Sequence, residues 1–220
     1  MHKLIIAATA FALFSTASAF AEKIRIGVTP GPHAQIMEKV REVAATKGME
    51  IDIQEFSDYV IPNMALADGA LEANSFQHQP YLDNQVTDRG FPIETVAPTV
   101  NFPMGMYSKK LKNISELADG ATIAIPNDPT NGGRALLVLA DNGLIKLDAA
   151  KGLKVTSIDV TENPKNLKFV ELDAAQLPRS LEDVDAAVIN TNYALEAGLN
   201  PAGDALLRES EKAPYEKELV

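Results

Sequence analysis

The sequence contains no cysteine, which removes disulfides, thiolate metal sites, cysteine nucleophiles and a lipid-modified cysteine in one step. Histidine is scarce. After the first two dozen residues only His33 and His78 remain, and neither stands at a carboxylate spacing that suggests zinc. No Gly-x-Ser-x-Gly elbow and no phosphate-binding loop occurs, so no catalytic set or cofactor site is expected. Basic charge is also in short supply: 20 Lys and Arg against 30 Asp and Glu leave a formal charge of −10, which repels nucleic acid and anionic lipid surfaces. There is no fixed-period repeat and no low-complexity tract. Beyond the first residues, no apolar run approaches the roughly 20 residues that a membrane span needs.

What is present begins with an address. Lys3 is followed by the apolar run Leu4 to Phe14, Ser15, Thr16 and Ser18 interrupt it, and Ala19-Phe20-Ala21 has the small-x-small pattern of a cleavage site. Residues 1–21 are therefore expected to be a signal peptide, with Glu22 as the new start. Export without a cysteine to lipidate predicts a soluble protein of the periplasm, not inserted in the membrane after cleavage.

Strand and helix signals then alternate. Ile24, Ile26 and Val28 have period 2, Ile36, Met37, Val40, Val43 and Ala44 have helical spacing up to Gly48, and Glu50 to Phe56 alternates again. This is a βαβ unit, with a parallel crossover implied. A helix near 62–67, a strand at 71–76 and a helix near 79–87 continue the theme. Pro92, Pro98 and Pro103 punctuate two extended stretches, 93–100 and 104–108, which suits a passage between lobes. A second set follows: Ser115 as the cap of a short helix, a strand at 121–125, a helix near 130–142 ending at Gly143, a strand at 167–172, a helix near 174–181 and a strand at 185–190. The pattern predicts two α/β lobes, 22–105 and 106–200, with a ligand cleft between them and residues 201–220 returning towards the first lobe. The apolar ending Leu219-Val220 reads as the start of a segment, so a truncated C-terminus is expected.

Three clusters stand at strand ends and turns, where α/β proteins bind ligands. Phe76-Gln-His-Gln-Pro-Tyr81, with Tyr59 upstream, can wall an apolar slot; core packing of Phe76 and a surface His78 are the plainer alternative. Asn127-Asp-Pro-Thr-Asn-Gly-Gly-Arg134 sits between a strand and a helix. Its glycines permit close backbone approach, the helix start offers N–H groups and Arg134 offers a planar fork, which together make an anion site. A tight turn with a surface arginine would look similar. Asn190-Thr-Asn192-Tyr193 follows an apolar strand, and its amides can accept from an ammonium and donate to a carboxylate, although asparagine is also a common turn residue. An apolar slot, a cation and neutral amides together match an α-amino acid with an apolar side chain.

The strings Gly27-Val-Thr-Pro-Gly-Pro-His33, Phe76-Gln-His-Gln-Pro-Tyr81, Ala124-Ile-Pro-Asn-Asp-Pro-Thr130, Leu172-Asp-Ala-Ala-Gln-Leu-Pro178 and Ala187-Val-Ile-Asn-Thr-Asn-Tyr193 resemble the methionine-binding component of bacterial ABC importers, the NlpA lipoprotein family. The resemblance runs along essentially the whole chain after the leader. It implies a bilobal type II periplasmic-binding-protein fold that binds L-methionine or a close analogue for an inner-membrane permease with its ATPase. It also implies that Tyr59, Phe76, His78 and Tyr81 surround the thioether, that Arg134 holds the carboxylate, and that Asn127, Asn190 and Asn192 complete the polar contacts. Departures from the family pattern occur at Phe102, where some relatives are acidic, and at Gly132, where some have glutamate; both bear on how an ammonium is held. D-Methionine, a methionine dipeptide or another apolar amino acid are the neighbouring ligands, and a sensing or enzymatic domain on the same fold is the alternative of another class.

Overall fold

The first strand, β1 (Lys23–Val28), is apolar at alternate positions and ends fully buried at Val28. A computed structural model describes residues 23–100 and 102–210 of the chain; the expected signal segment 1–21 and the end of the chain lie outside the described residues. Helix α1 (Pro32–Ala45) opens with proline in its first turn, where the missing N–H forfeits no helical bond. It returns the chain to β2 (Glu50–Glu55), parallel to β1 with Ile24 opposite Ile51 and Ile26 opposite Ile53. Helix α2 (Ile61–Ala67) leads to β3 (Ala73–Ser75), parallel to β1 on its other side and shorter than the 71–76 expected. The order β2-β1-β3 confirms the parallel βαβ reading. Only part of the apolar stripe of α1 is covered: Met37 and Ala44 are buried, while Ile36, Val40 and Val43 remain 40%, 42% and 48% exposed. A three-stranded sheet is too narrow to shield a stripe that broad.

Helix α3 (Gln79–Arg89) stops at Gly90, whose φ of 68° is the left-handed conformation glycine adopts without penalty. Residues 91–100 form no regular element, and the chain then enters a second sheet. Its members are β4 (Gly105–Tyr107), β5 (Thr122–Pro126), β8 (Lys168–Leu172), β9 (Ala186–Ile189) and β10 (Leu207–Arg208), in the order β10-β4-β9-β5-β8. Strand β5 runs parallel to β8 and β9, whereas β4 is antiparallel to both its neighbours. Helix α4 (Pro129–Asp141) follows β5, α5 (Leu177–Ser180) precedes β9 and α6 (Thr191–Glu196) follows it. On one face α4 packs Leu136 and Leu139 against Ile123, Ile125 and Val188; on the other, Leu177, Leu181 and Tyr193 meet Ala187 and Ile189. Central strands covered on both faces read as unbroken apolar runs, which is why Ala186-Ala-Val-Ile189 shows no alternation.

Some elements differ from expectation. Asn113, not Ser115, caps the short turn at Ile114–Glu116, accepting from the Ser115 N–H at 3.0 Å. A two-stranded antiparallel pair, β6 (Lys146–Leu147) with β7 (Val160–Glu162), was not foreseen; it is too short to show a period. Leu207 and Arg208 pair with β4 in the second sheet, so any return of the chain to the first falls after residue 208.

The adjacent glycines after β5 serve packing, not ligand approach. A Cβ on Gly133 would stand 2.0 Å from the Leu153 carbonyl oxygen, and one on Gly132 would stand 2.7 Å from that of Pro126. Both obstacles are backbone, which yields less readily than a side chain. Gly133→Ala is expected to destabilise the fold by about 1–3 kcal/mol through overpacking. Urea denaturation checks this, and an unchanged midpoint would show that the 149–154 segment moves aside freely.

Candidate functional site

Residues just beyond the carboxyl ends of four strands meet at one place. His33 follows β1, Phe76, Gln77 and His78 follow β3, Asn131 and Arg134 follow β5, and Asn190, Thr191 and Asn192 follow β9; with Tyr59, Tyr81 and Phe102 they line a cavity of about 30 Å³. Carboxyl ends of parallel strands are where open α/β sheets place ligands. A larger cleft of about 700 Å³ adjoins it, bounded by Ser57 to Ile61, Asn127, Asp128, Asp173 to Gln176, Arg179, Tyr193 and Glu196. The inner cavity is the better candidate despite its size. It alone is lined by several buried polar atoms without partners, whereas the outer cleft has an open, charged rim.

The apolar wall is aromatic. Tyr59 lies 5.9 Å from Phe76, 6.3 Å from Tyr81 and 5.0 Å from Tyr193 between ring centroids, and Phe76 meets Tyr81 edge-on at 6.0 Å. These rings are locked by their hydroxyls: Tyr81 donates to the Tyr59 carbonyl at 2.8 Å, Tyr193 to the Ser57 carbonyl at 3.2 Å, and Tyr59 to Asn192 Oδ1 at 2.5 Å. The last bond joins the segment after β2 to the segment after β9. Phe102 stands edge-on to His33 at 5.3 Å.

The polar lining has gaps. His78 Nε2, Asn190 Oδ1 and Asn192 Nδ2 are buried without a hydrogen-bond partner, and an unmet buried group costs about 1–3 kcal/mol. Burial pushes the His78 imidazole down to about 3, with the Arg134 charge adding to the effect; burial alone takes His33 to about 4. Both rings are therefore neutral at pH 7. Burial, the largest influence on Tyr59, holds its hydroxyl protonated well above the ordinary range.

Arg134 is only 4% exposed and is already engaged. Its Nε donates to Glu209 Oε1 at 2.7 Å and its Nη2 to Glu209 Oε2 at 2.5 Å, while Nη2 also reaches the Phe102 carbonyl at 2.9 Å. Glu209 Oε2 in turn accepts from the Met104 N–H at 2.8 Å. The Arg134 charge that was expected to clamp a carboxylate is thus shared with the chain's own carboxylate. Glu209 escaped the sequence reading because an isolated acidic residue near a chain end carries no signal of burial.

Tyr59, Phe76, His78, Tyr81, Arg134, Asn190 and Asn192 are brought together around the cavity. Asn127 is not: it is exposed, lines the outer cleft, and donates from Nδ2 to Asp173 Oδ1 at 2.6 Å. Asp128 also changes the expected anion site, because its carboxylate caps α4 by accepting from the Asn131 N–H at 2.9 Å. The helix start is occupied by the chain itself. Gln77, Asn131 and Thr191 line the cavity unforeseen, and Thr191 begins a helix rather than a turn. Among the described residues no acidic or histidine cluster could hold a metal ion, and no helix is long and apolar enough to cross a membrane.

The family described as NlpA lipoprotein matches residues 24–220. The D-methionine-binding lipoprotein MetQ of Escherichia coli K12 is 50% identical over 195 residues, 87% of this chain and 72% of that protein. Outer membrane lipoprotein 3 of Mannheimia haemolytica is 46% identical over 215 residues, 97% of this chain and 82% of that protein. The solved structure of a nutrient binding protein from Burkholderia cenocepacia bound to methionine has a TM-score of 0.84 and 52% identity, covering 87% of this chain and 81% of that one. The bilobal α/β fold is shared with it. These relatives correct the expected location. A soluble, unanchored periplasmic protein was inferred from the missing cysteine, but the family and the relatives are named as lipoproteins, which speaks for membrane attachment.

Two outcomes follow from the geometry. Removing one member of the buried pair strands the other, so Arg134→Ala and Glu209→Ala should each destabilise the fold by about 3–5 kcal/mol. The double variant should lose much less than the sum, as a denaturation cycle would show; additive losses would refute the pairing. Protons add a second test. His33 and His78 are held neutral when folded, with pKa values of about 4 and about 3, against roughly 6.5 unfolded. The unfolded chain takes up their protons first, so their stabilising effect is complete above about pH 6.5 and is lost as pH falls towards 4. Unfolding free energies from urea titrations between pH 7 and pH 5 should decline with a slope of up to about 1.4 kcal/mol per pH unit per histidine, and His78→Gln should flatten it.

Proposed function

The chain belongs to the NlpA lipoprotein family, and on that premise we propose that it is a substrate-binding protein that captures L-methionine, or a close analogue, for an ABC importer. One observation carries the reading: beneath an aromatic wall, the cavity presents a buried acceptor at Asn190 Oδ1 and a buried donor at Asn192 Nδ2, both without partners. An α-amino acid supplies the complements, an ammonium for the acceptor and a carboxylate for the donor. Arg134 adds positive charge on the carboxylate side, tempered by Glu209. Tyr59, Phe76, His78 and Tyr81 form the side-chain slot, where a polarizable sulfur is favoured over a methylene.

The role is capture, not chemistry. The relatives are named for binding. The delivery partner is an inner-membrane permease with its ATPase. A cavity of about 30 Å³ has room for one or two water molecules, so an amino acid enters only when the walls part. Parting them breaks the Tyr59–Asn192 bond, and closure restores it. The Escherichia coli relative is named for D-methionine, so both enantiomers are ligands to compare.

Mass spectrometry of small molecules released on denaturation, followed by calorimetry with both methionine enantiomers, norleucine and leucine, tests the proposal. Methionine should exceed norleucine by about 0.3–1.5 kcal/mol, the worth of sulfur against aromatic rings. Leucine, branched nearer the backbone, should bind more weakly than both. Phe76→Ala should weaken methionine and narrow its lead over norleucine. Should leucine equal methionine, or no free amino acid bind, the slot assignment fails and dipeptides containing methionine come next.

A further inference from the structure

Asn190 and Asn192 both face the cavity, yet their amides are constrained differently. Asn192 Oδ1 accepts from the Tyr59 hydroxyl at 2.5 Å. A phenol can donate or accept, so this amide could turn over and keep a partner. Asn190 has no such freedom. Its Nδ2 donates to Asn131 Oδ1 at 2.8 Å, and Asn131 Nδ2 donates to the Asp128 carboxylate, at 3.1 Å to Oδ1 and 2.9 Å to Oδ2. A carboxylate offers only acceptors, so Asn131 must turn its NH₂ towards Asp128 and its oxygen towards Asn190. Asn190 must then present NH₂ to Asn131 and its oxygen to the cavity, where Oδ1 is buried without a partner. Asn131 and Asn190 are 3% and 7% exposed, so water cannot compensate a reversed amide.

We propose that Asp128 is a positioning residue for ligand specificity: through the Asp128–Asn131–Asn190 relay it fixes Asn190 Oδ1 as an obligatory acceptor, so that the site takes α-amino acids and rejects α-keto acids of the same shape. An ammonium donates to Oδ1. A keto oxygen can only accept, and would meet another acceptor in a buried place. Asp128 does not line the inner cavity, and it reaches that lining by hydrogen bonds through Asn131. This inference rests on the amino-acid reading above and adds the origin of its selectivity.

The substitution that tests it is Asp128→Asn, which keeps a good helix cap but puts an NH₂ where one carboxylate oxygen faced the Asn131 NH₂. The Asn131 oxygen can then pair with that NH₂, so the orientation is no longer enforced, and the turned-over Asn131 and Asn190 present an NH₂ to the cavity. Calorimetry with methionine and with 4-methylthio-2-oxobutanoate, its α-keto analogue, gives an affinity ratio for each protein. In Asp128→Asn the ratio should fall about tenfold or more, the scale of one misoriented buried hydrogen bond. Asp173→Asn, which removes the same charge at the outer cleft, should leave it unchanged. Equal weakening of both ligands by Asp128→Asn, or an equal fall of the ratio in Asp173→Asn, would overturn the relay in favour of a structural or long-range charge effect. If Asp128→Asn does not fold, Asn131→Ala frees the Asn190 amide and is read the same way. Failure of the unsubstituted protein to bind methionine would instead defeat the amino-acid reading.

Discussion

The surroundings of the cavity depend on one buried ion pair. Arg134 stands on the first turns of α4, Glu209 stands just after β10, and their double hydrogen bond is tied by further bonds to the backbone at Phe102 and Met104. Three segments far apart in sequence are thereby held to one point. Two desolvated charges are not an economical source of stability, because leaving water costs about as much as their attraction returns. Their value is geometric. A fork and a carboxylate meet in one orientation only, and that orientation sets where α4 begins and how its first residues face the cavity.

From that anchor the site divides into a polar half and an aromatic half. Asp128 caps α4 and, through Asn131, dictates how Asn190 presents itself. Opposite lies a wall of rings held by hydroxyl bonds to backbone, with His33 and His78 kept neutral by burial. Neutral imidazoles and aromatic rings ask for an apolar ligand body, and the amides ask for a small zwitterionic head. The proposed amino acid is the overlap of those two demands.

The sequence made the strand and helix alternation legible because period 2 and helical spacing are local signals, and β1, α1, β2 and α4 fell close to their expected bounds. The site was legible where aromatic and amide residues cluster at strand ends, as at Phe76 to Tyr81 and Asn190 to Asn192. What escaped was decided by tertiary contact. Asn127 looks like its neighbours in sequence, but its side chain turns outward to Asp173. Gly132 and Gly133 suggested approach to a ligand, yet Pro126 and Leu153 occupy the space. Glu209 became a central residue only because β10 pairs with β4 and carries it beneath Arg134. No local pattern encodes a pairing between residues a hundred positions apart.

The tyrosine wall has an optical consequence. The chain contains no tryptophan and five tyrosines, and three of these, Tyr59, Tyr81 and Tyr193, border the cleft with ring centroids 5.0 Å and 6.3 Å from Tyr59. Near-ultraviolet absorption and emission are therefore dominated by chromophores packed against one another at the point where the walls must part. A phenol that loses its hydrogen-bond partner and a ring neighbour changes both its emission and its circular dichroism. The protein carries its own spectroscopic gauge of cleft opening, with no bright indole elsewhere to mask it.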